Sequence, residues 1–172
     1  YKFIISGIIF AVFIGIVLFD AGYKNGSQND LSHAAEKASS SVVNIFISSR
    51  GINATRNAVG SGVIFSKEGH IVTNTHILTN ARSVFVEFND GEITEAVLIG
   101  ADKYSDIAVL KINGFEGLNP IESAESSNIR VGDEVLAIGN PFGVGETVTS
   151  GIISATGRDY GNPYLELLQT DA

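Results

Sequence analysis

The sequence predicts an antiparallel all-β domain that closes into a barrel, carried behind an N-terminal transmembrane helix. Three observations predict it. After residue 40, short runs rich in Val and Ile follow one another, punctuated by turn signals. No segment in that stretch has the spacing of a long amphipathic helix. Residues Phe3 to Phe19, by contrast, carry no charge and contain six Ile.

Composition narrows the class further. The 172 residues allow one domain, or one and a fraction. Eleven Lys and Arg against nineteen Asp and Glu leave a net charge of −8, which argues against a nucleic-acid partner, because such proteins need a basic face. The absence of Cys removes disulfide scaffolds, thiolate zinc sites and cysteine nucleophiles, and leaves the compartment open. Nineteen Gly and 44% hydrophobic residues fit a folded, turn-rich chain rather than a disordered one. The first residue is Tyr1 rather than Met, so the sequence is expected to be incomplete at its start.

Taken in order, residues 1–23 read as an uncleaved anchor. Seventeen apolar residues make a helix of about 26 Å, at the short end of what spans a hydrocarbon core of ~30 Å. A core helix would show a polar face, and a signal peptide would end in a small-residue cleavage site; Phe19-Asp20-Ala21 is a poor one. Gly7, Ala11 and Gly15 form a small-residue stripe along it. Lys2 and Lys24 balance, so charge does not set the orientation. Residues 24–40 read as a polar tether and a short helix, capped by Asp30 or Ser32, with Leu31, Ala34, Ala35 and Ala38 on its buried side.

The β runs follow: Ser41–Ser49, Gly62–Phe65, Ile71–Thr73, Ser83–Phe88, Ile93–Ile99, Ile107–Ile112, Glu134–Ile138, Thr147–Ser154 and Leu165–Gln169. Lys67-Glu68-Gly69, Asn89-Asp90-Gly91 and Gly139-Asn140-Pro141 mark turns between them. Val84, Val86 and Phe88 alternate with Ser83, Phe85 and Glu87, so both faces of that strand are partly apolar, as in a small closed barrel. Two polar stretches interrupt the pattern. Arg50–Ala58 is a hairpin loop holding the sequon Asn53-Ala54-Thr55, and Asn113–Arg130 bridges two β units, with a boundary near Asn119.

Candidate chemistry starts with the three histidines. His33 on the short helix and His70 at a strand start read as structural. His76 closes the polar turn Thr73-Asn74-Thr75-His76 at a strand end, where scaffolds display functional groups. Its candidate partner is Asp106, at the head of an apolar strand, a costly place for a carboxylate without hydrogen-bond donors. The residues alone leave both open to ordinary turn roles. No HExxH, P-loop, GxGxxG or GxSxG pattern is present, and no metal-ligand spacing.

Six motifs, in order, carry a resemblance. They are Gly60-Ser61-Gly62-Val63-Ile64-Phe65, Ile71-Val72-Thr73-Asn74-Thr75-His76, Ser105-Asp106-Ile107-Ala108-Val109-Leu110-Lys111-Ile112, Val131-Gly132-Asp133 through Gly139-Asn140-Pro141-Phe142-Gly143, Thr149-Ser150-Gly151-Ile152-Ile153-Ser154, and Gln169-Thr170-Asp171-Ala172. Residues 31–172 thereby resemble the HtrA (DegP/DegS) family of trypsin-like serine proteases, and an anchor followed by a short tether is similar to its DegS branch.

The resemblance implies two six-stranded barrels: the first complete over 41–118 with His76 and Asp106, the second partial over 119–172. It implies His76 as general base and Asp106 as its orienting carboxylate, chemistry that needs no cofactor or metal. It implies that the nucleophilic serine, in a Gly-Asn-Ser-Gly-Gly segment, and a PDZ domain lie beyond Ala172, so that the fragment is inactive alone. Arg158 matches a position that couples the regulatory domain to the active site. Phe142 stands where the DegS branch has Tyr. The family further implies a homotrimer formed through about Leu31 to Arg50, unfolded or membrane-associated protein substrates, and a single-pass inner-membrane protein with its protease domain in the periplasm. The activity implied is that of an endopeptidase in protein quality control or envelope stress. A non-catalytic, membrane-tethered β-domain acting as a binding module is the alternative reading, and a soluble binder released near Ala21 is a third.

Overall fold

The computed structural model describes residues 3–5, 15–19, 29–48, 57–139, 146–158 and 167–172. The elements run β1 (Phe3–Ile5), β2 (Gly15–Phe19), α1 (Asn29–Ser39), β3 (Val42–Ser48), β4 (Asn57–Ile64), β5 (His70–Asn74), β6 (Ser83–Glu87), β7 (Ile93–Asp102), β8 (Ile107–Lys111), β9 (Glu134–Gly139), β10 (Thr147–Arg158) and β11 (Leu167–Thr170). Short 3-10 turns lie at Thr75–Leu78 and Ser126–Asn128.

Strands β3 to β8 close into the expected barrel, in the order β3-β4-β5-β8-β7-β6, with neighbours antiparallel. Alternation sends one face of each strand inward. Val43, Ile45, Ile71, Val86 and Leu110 fill the interior, with Ile112 and Ile77 closing its ends. The Gly60-Ser61-Gly62 run exists because this interior is full. A Cβ on Gly62 would lie 2.8 Å from Ile71 Cγ2 and 3.1 Å from Ile45 Cδ1, and one on Gly60 would collide with Ile77 Cδ1. The Asn89-Asp90-Gly91 signal forms the β6–β7 turn, where Gly91 takes φ +85.

The second sheet is open and five-stranded, in the order β1-β2-β9-β10-β11. In the first barrel, β3 pairs with the strand after it, β4, and with the fourth strand, β6. In the second, β9 pairs with β10 in the same way, and β2 occupies the other edge, the place that a fourth strand would take. Helix α1 packs its Ala34 and Ala38 side, flanked by partly buried Leu31 and Ala35, against Val42, Val63, Ile121, Leu136 and Ile138. The buried side of α1 is the one its spacing predicts, although the helix begins at Asn29, before either expected cap.

The N-terminal segment differs from expectation. Residues Phe3–Ile5 and Gly15–Phe19 are antiparallel strands, with Phe3 opposite Phe19, rather than parts of one transmembrane helix. Among the described residues no helix is long and apolar enough to cross a membrane. The reason is competition for backbone partners. Ile, Val and Phe are strong strand formers, and by pairing with β9 the strand β2 satisfies backbone groups that would otherwise lie along an open edge.

Each of the nine predicted β runs contains a strand among the described residues, but β4, β5, β7 and β10 extend beyond the Val- and Ile-rich stretches that announce them. The boundary expected near Asn119 falls in the strandless stretch between Lys111 and Glu134, where Ile121 N–H donates to Ile64 O at 2.9 Å. The sequon at 53–55 and Phe142 lie outside the described residues. Gly62→Ala is expected to lower the unfolding free energy by about 1–3 kcal/mol, the usual cost of overpacking, measured by urea denaturation. Gly91→Ala meets no atom within 4 Å of the new Cβ, but at φ +85 the alanine is strained, so it should also destabilise, by about 1–3 kcal/mol through the backbone alone, by the same measurement.

Candidate active site

Thirty residues separate His76 from Asp106, and the barrel brings them together. Strands β5 and β8 are antiparallel neighbours with Asn74 opposite Ile107. The residue after β5 and the residue before β8 therefore meet at one rim. His76 rides on the 3-10 turn that follows β5, and buried Ile77 pins that turn into the barrel interior.

At the rim, His76 Nδ1 lies 2.5 Å from Asp106 Oδ2, and the His76 backbone N–H donates to Asp106 Oδ1 at 2.9 Å. An ionised carboxylate can only accept, so Nδ1 carries the proton, and in the neutral imidazole that leaves the lone pair on Nε2. Thr75 N–H donates to Asp106 O at 3.0 Å. The Asn74 amide nitrogen donates to both Asp106 O and Asp106 Oδ2, each at 3.2 Å. Asp106 adopts φ +56, the left-handed region, which costs a non-glycine residue about 1–3 kcal/mol unless its surroundings hold it there. The imidazole is 55% exposed and the carboxylate 37%. An exposed ion pair is worth only about 0–1 kcal/mol, so these directional hydrogen bonds, not Coulomb attraction, set the geometry.

The flanking threonines anchor the backbone. Buried Thr73 donates its hydroxyl to Ser61 O at 2.8 Å, and Thr75 Oγ1 to Ile107 O at 2.9 Å. On the facing turn, Tyr104 N–H and the Ser105 hydroxyl both donate to Asp102, each at 2.9 Å. The Tyr104 N–H and then the Ser105 hydroxyl hold the Asp102 carboxyl below its ordinary value of 3.8.

The other histidines stay apart from this pair. His33 is exposed on α1, and His70 Nδ1 hydrogen-bonds Ser66 Oγ at 2.7 Å at the start of β5. Ser61 is buried in β4, opposite Asn44. Among the described residues no hydrogen bond joins a serine hydroxyl to His76, and no group of three or more residues is placed to hold a metal ion. Arg158 is exposed at the end of β10, opposite Leu167. The polar run closing β5 is the signal in the sequence for Asn74, but its target, and the Asp102–Ser105 turn, emerge only from the fold.

A histidine donating to an aspartate at the rim of a closed six-stranded barrel is a scaffold for general-base chemistry. Comparison places the chain in a class. A model of the trypsin-like peptidase domain matches residues 60–172, and the chain belongs to the trypsin-like peptidase family. Within that family it is of the HtrA type. The serine endoprotease DegS of Escherichia coli (strain K12) is 44% identical over 147 residues, covering 81% of this chain and 41% of that protein. The periplasmic serine endoprotease DegP of the same strain is 48% identical over 118 residues, covering 67% of this chain and 25% of DegP. Among solved structures, the HtrA-type protease AlgW with a decapeptide superposes with a TM-score of 0.73 at 38% identity, covering 81% of this chain and 50% of that one. The chain thus spans about 41% of the length of the DegS relatives it matches.

Stabilisation of the Asp102 turn through its lowered carboxyl is complete above 3.8 and is lost as the pH falls through the still lower value in the folded protein. Ser105→Ala removes the hydroxyl donor and should raise the Asp102 titration midpoint toward its ordinary value. Carboxyl carbon NMR against pH measures it.

Proposed function

We propose that this chain is the N-terminal part of a membrane-anchored, periplasmic serine endopeptidase of protein quality control or the envelope stress response. The observation that carries the proposal is the 2.5 Å contact between His76 Nδ1 and Asp106 Oδ2, which leaves Nε2 open for a hydroxyl. Family membership and relatives named as periplasmic serine endoproteases support the same reading.

In this reading His76 Nε2 takes the proton of a serine hydroxyl as its oxygen attacks the scissile carbonyl carbon. Asp106 stabilises the imidazolium that forms. The imidazolium then protonates the leaving amine as the C–N bond breaks, and water repeats the sequence on the acyl-enzyme. The serine comes from sequence after Ala172, so these 172 residues alone do not cleave peptides. No cofactor or metal enters the chemistry. Substrates are unfolded or membrane-associated proteins; that AlgW was solved with a decapeptide supports a peptide ligand. Arg158 couples a regulatory domain to the site, and the segment from Leu31 to Arg50 forms a homotrimer.

On the inner membrane, residues 1–23 are proposed to form the single-pass anchor. Lipid offers a strand no backbone partners and so favours a helix, and the β9 edge then takes a strand of its own barrel. Removing residues 1–23 from the full-length protein should move it from the membrane to the soluble fraction on centrifugation.

The test of the enzymatic reading is covalent labelling. The full-length protein should react with a fluorophosphonate at one serine and hydrolyse casein, with both activities down at least about 1000-fold in His76→Ala. Purified residues 1–172 should do neither. Casein cleavage by the 172 residues would place the nucleophile inside them, and an unlabelled full-length protein would favour the binding module.

A further inference from the structure

We infer that Asn74 is a positioning residue for the His76–Asp106 pair, its one amide fixing both the carboxylate and the backbone of Asp106. The inference rests on the peptidase reading of that pair. Its first support is a hydrogen bond that Asn74 does not make. Asn74 stands at the N-cap of the 3-10 turn, with extended φ −85 and ψ 141, where an asparagine ordinarily accepts from a backbone N–H two or three residues on. Its side chain makes no cap bond. The amide instead reaches Asp106, with O and Oδ2 each at 3.2 Å from Nδ2.

The second support is the division of acceptors at Asp106. Oδ1 takes the His76 backbone N–H, while Oδ2 takes His76 Nδ1–H and the Asn74 amide. Rotating the carboxylate would break all three bonds. Without Asn74, a carboxylate 37% exposed can trade that third bond for water and swing out of the imidazole plane. The same amide holds Asp106 O, and thereby the left-handed backbone at φ +56 from which the carboxylate projects. Neither neighbour can substitute, because the Thr73 hydroxyl is committed to Ser61 O and the Thr75 hydroxyl to Ile107 O and Asp102 O. Chemistry also favours an amide over its isostere. An aspartate at this position would set a second carboxylate against the first.

The test has two arms. In the full-length, serine-bearing protein, Asn74→Ala should lower kcat for casein about tenfold with KM unchanged, the effect of losing one hydrogen bond to a charged group. Asn74→Asp, the same size, should lower it further. In an Asp106→Ala background, Asn74→Ala should change kcat less than about twofold, because Asn74 acts through Asp106. In the present chain, proton NMR should show a slowly exchanging His76 Nδ1–H signal that broadens in Asn74→Ala while the thermal midpoint holds. Equal kcat losses in both backgrounds, a rise in KM at constant kcat, or an unaltered Nδ1–H signal would each overturn the inference. If the full-length wild type has no activity, the peptidase reading fails while the NMR arm still decides whether Asn74 positions the pair.

Discussion

The antiparallel pairing of β5 with β8 is the constraint on which the site depends. With Asn74 opposite Ile107, the two strands end at one rim, and the residues just beyond them are forced together. The intervening chain is not slack, for it forms the β6–β7 hairpin that completes the barrel. Closure therefore sets the His76–Asp106 geometry. A slip of one residue between β5 and β8 would turn Ile71 and Leu110 out of the core and carry the pair apart in the same step.

The rim achieves order without burial. Both members of the pair face solvent, where charge attraction is weak, so donors placed by the backbone do the aligning. Thr75 N–H, His76 N–H and the Asn74 amide converge on one aspartate whose own backbone sits in a costly region. That cost is offset locally, by hydrogen bonds to the carbonyl and the carboxylate of Asp106. The core enters indirectly, through Ile77, which nails the histidine turn to the barrel and needs Gly60 to make room.

Edge chemistry governs the second sheet. Strands β9 and β10 repeat the pairing of β3 and β4, but where β3 closes onto β6, β9 meets β2. An apolar segment and an unpaired edge are complementary liabilities in water, and pairing removes both. The same residues read as a membrane helix because their hydrophobicity suits either setting. Available backbone partners, rather than side-chain polarity, choose between helix and strand.

Nine strand positions are legible in the residues alone, because Val and Ile alternation and Gly-bearing turns are local signals. The sequence also determines the buried side of α1, and the motif order that marks the family. It does not reveal how far β4, β5, β7 and β10 extend, since strand ends depend on cross-strand partners rather than on their own composition. Nor could it distinguish His76 and Asp106 from ordinary turn residues without the resemblance, or show why Asn74 matters. Those points come from the folded barrel. A hydrogen bond between residues thirty or more apart comes from strand register, and register is a property of the closed barrel, not of any segment within it.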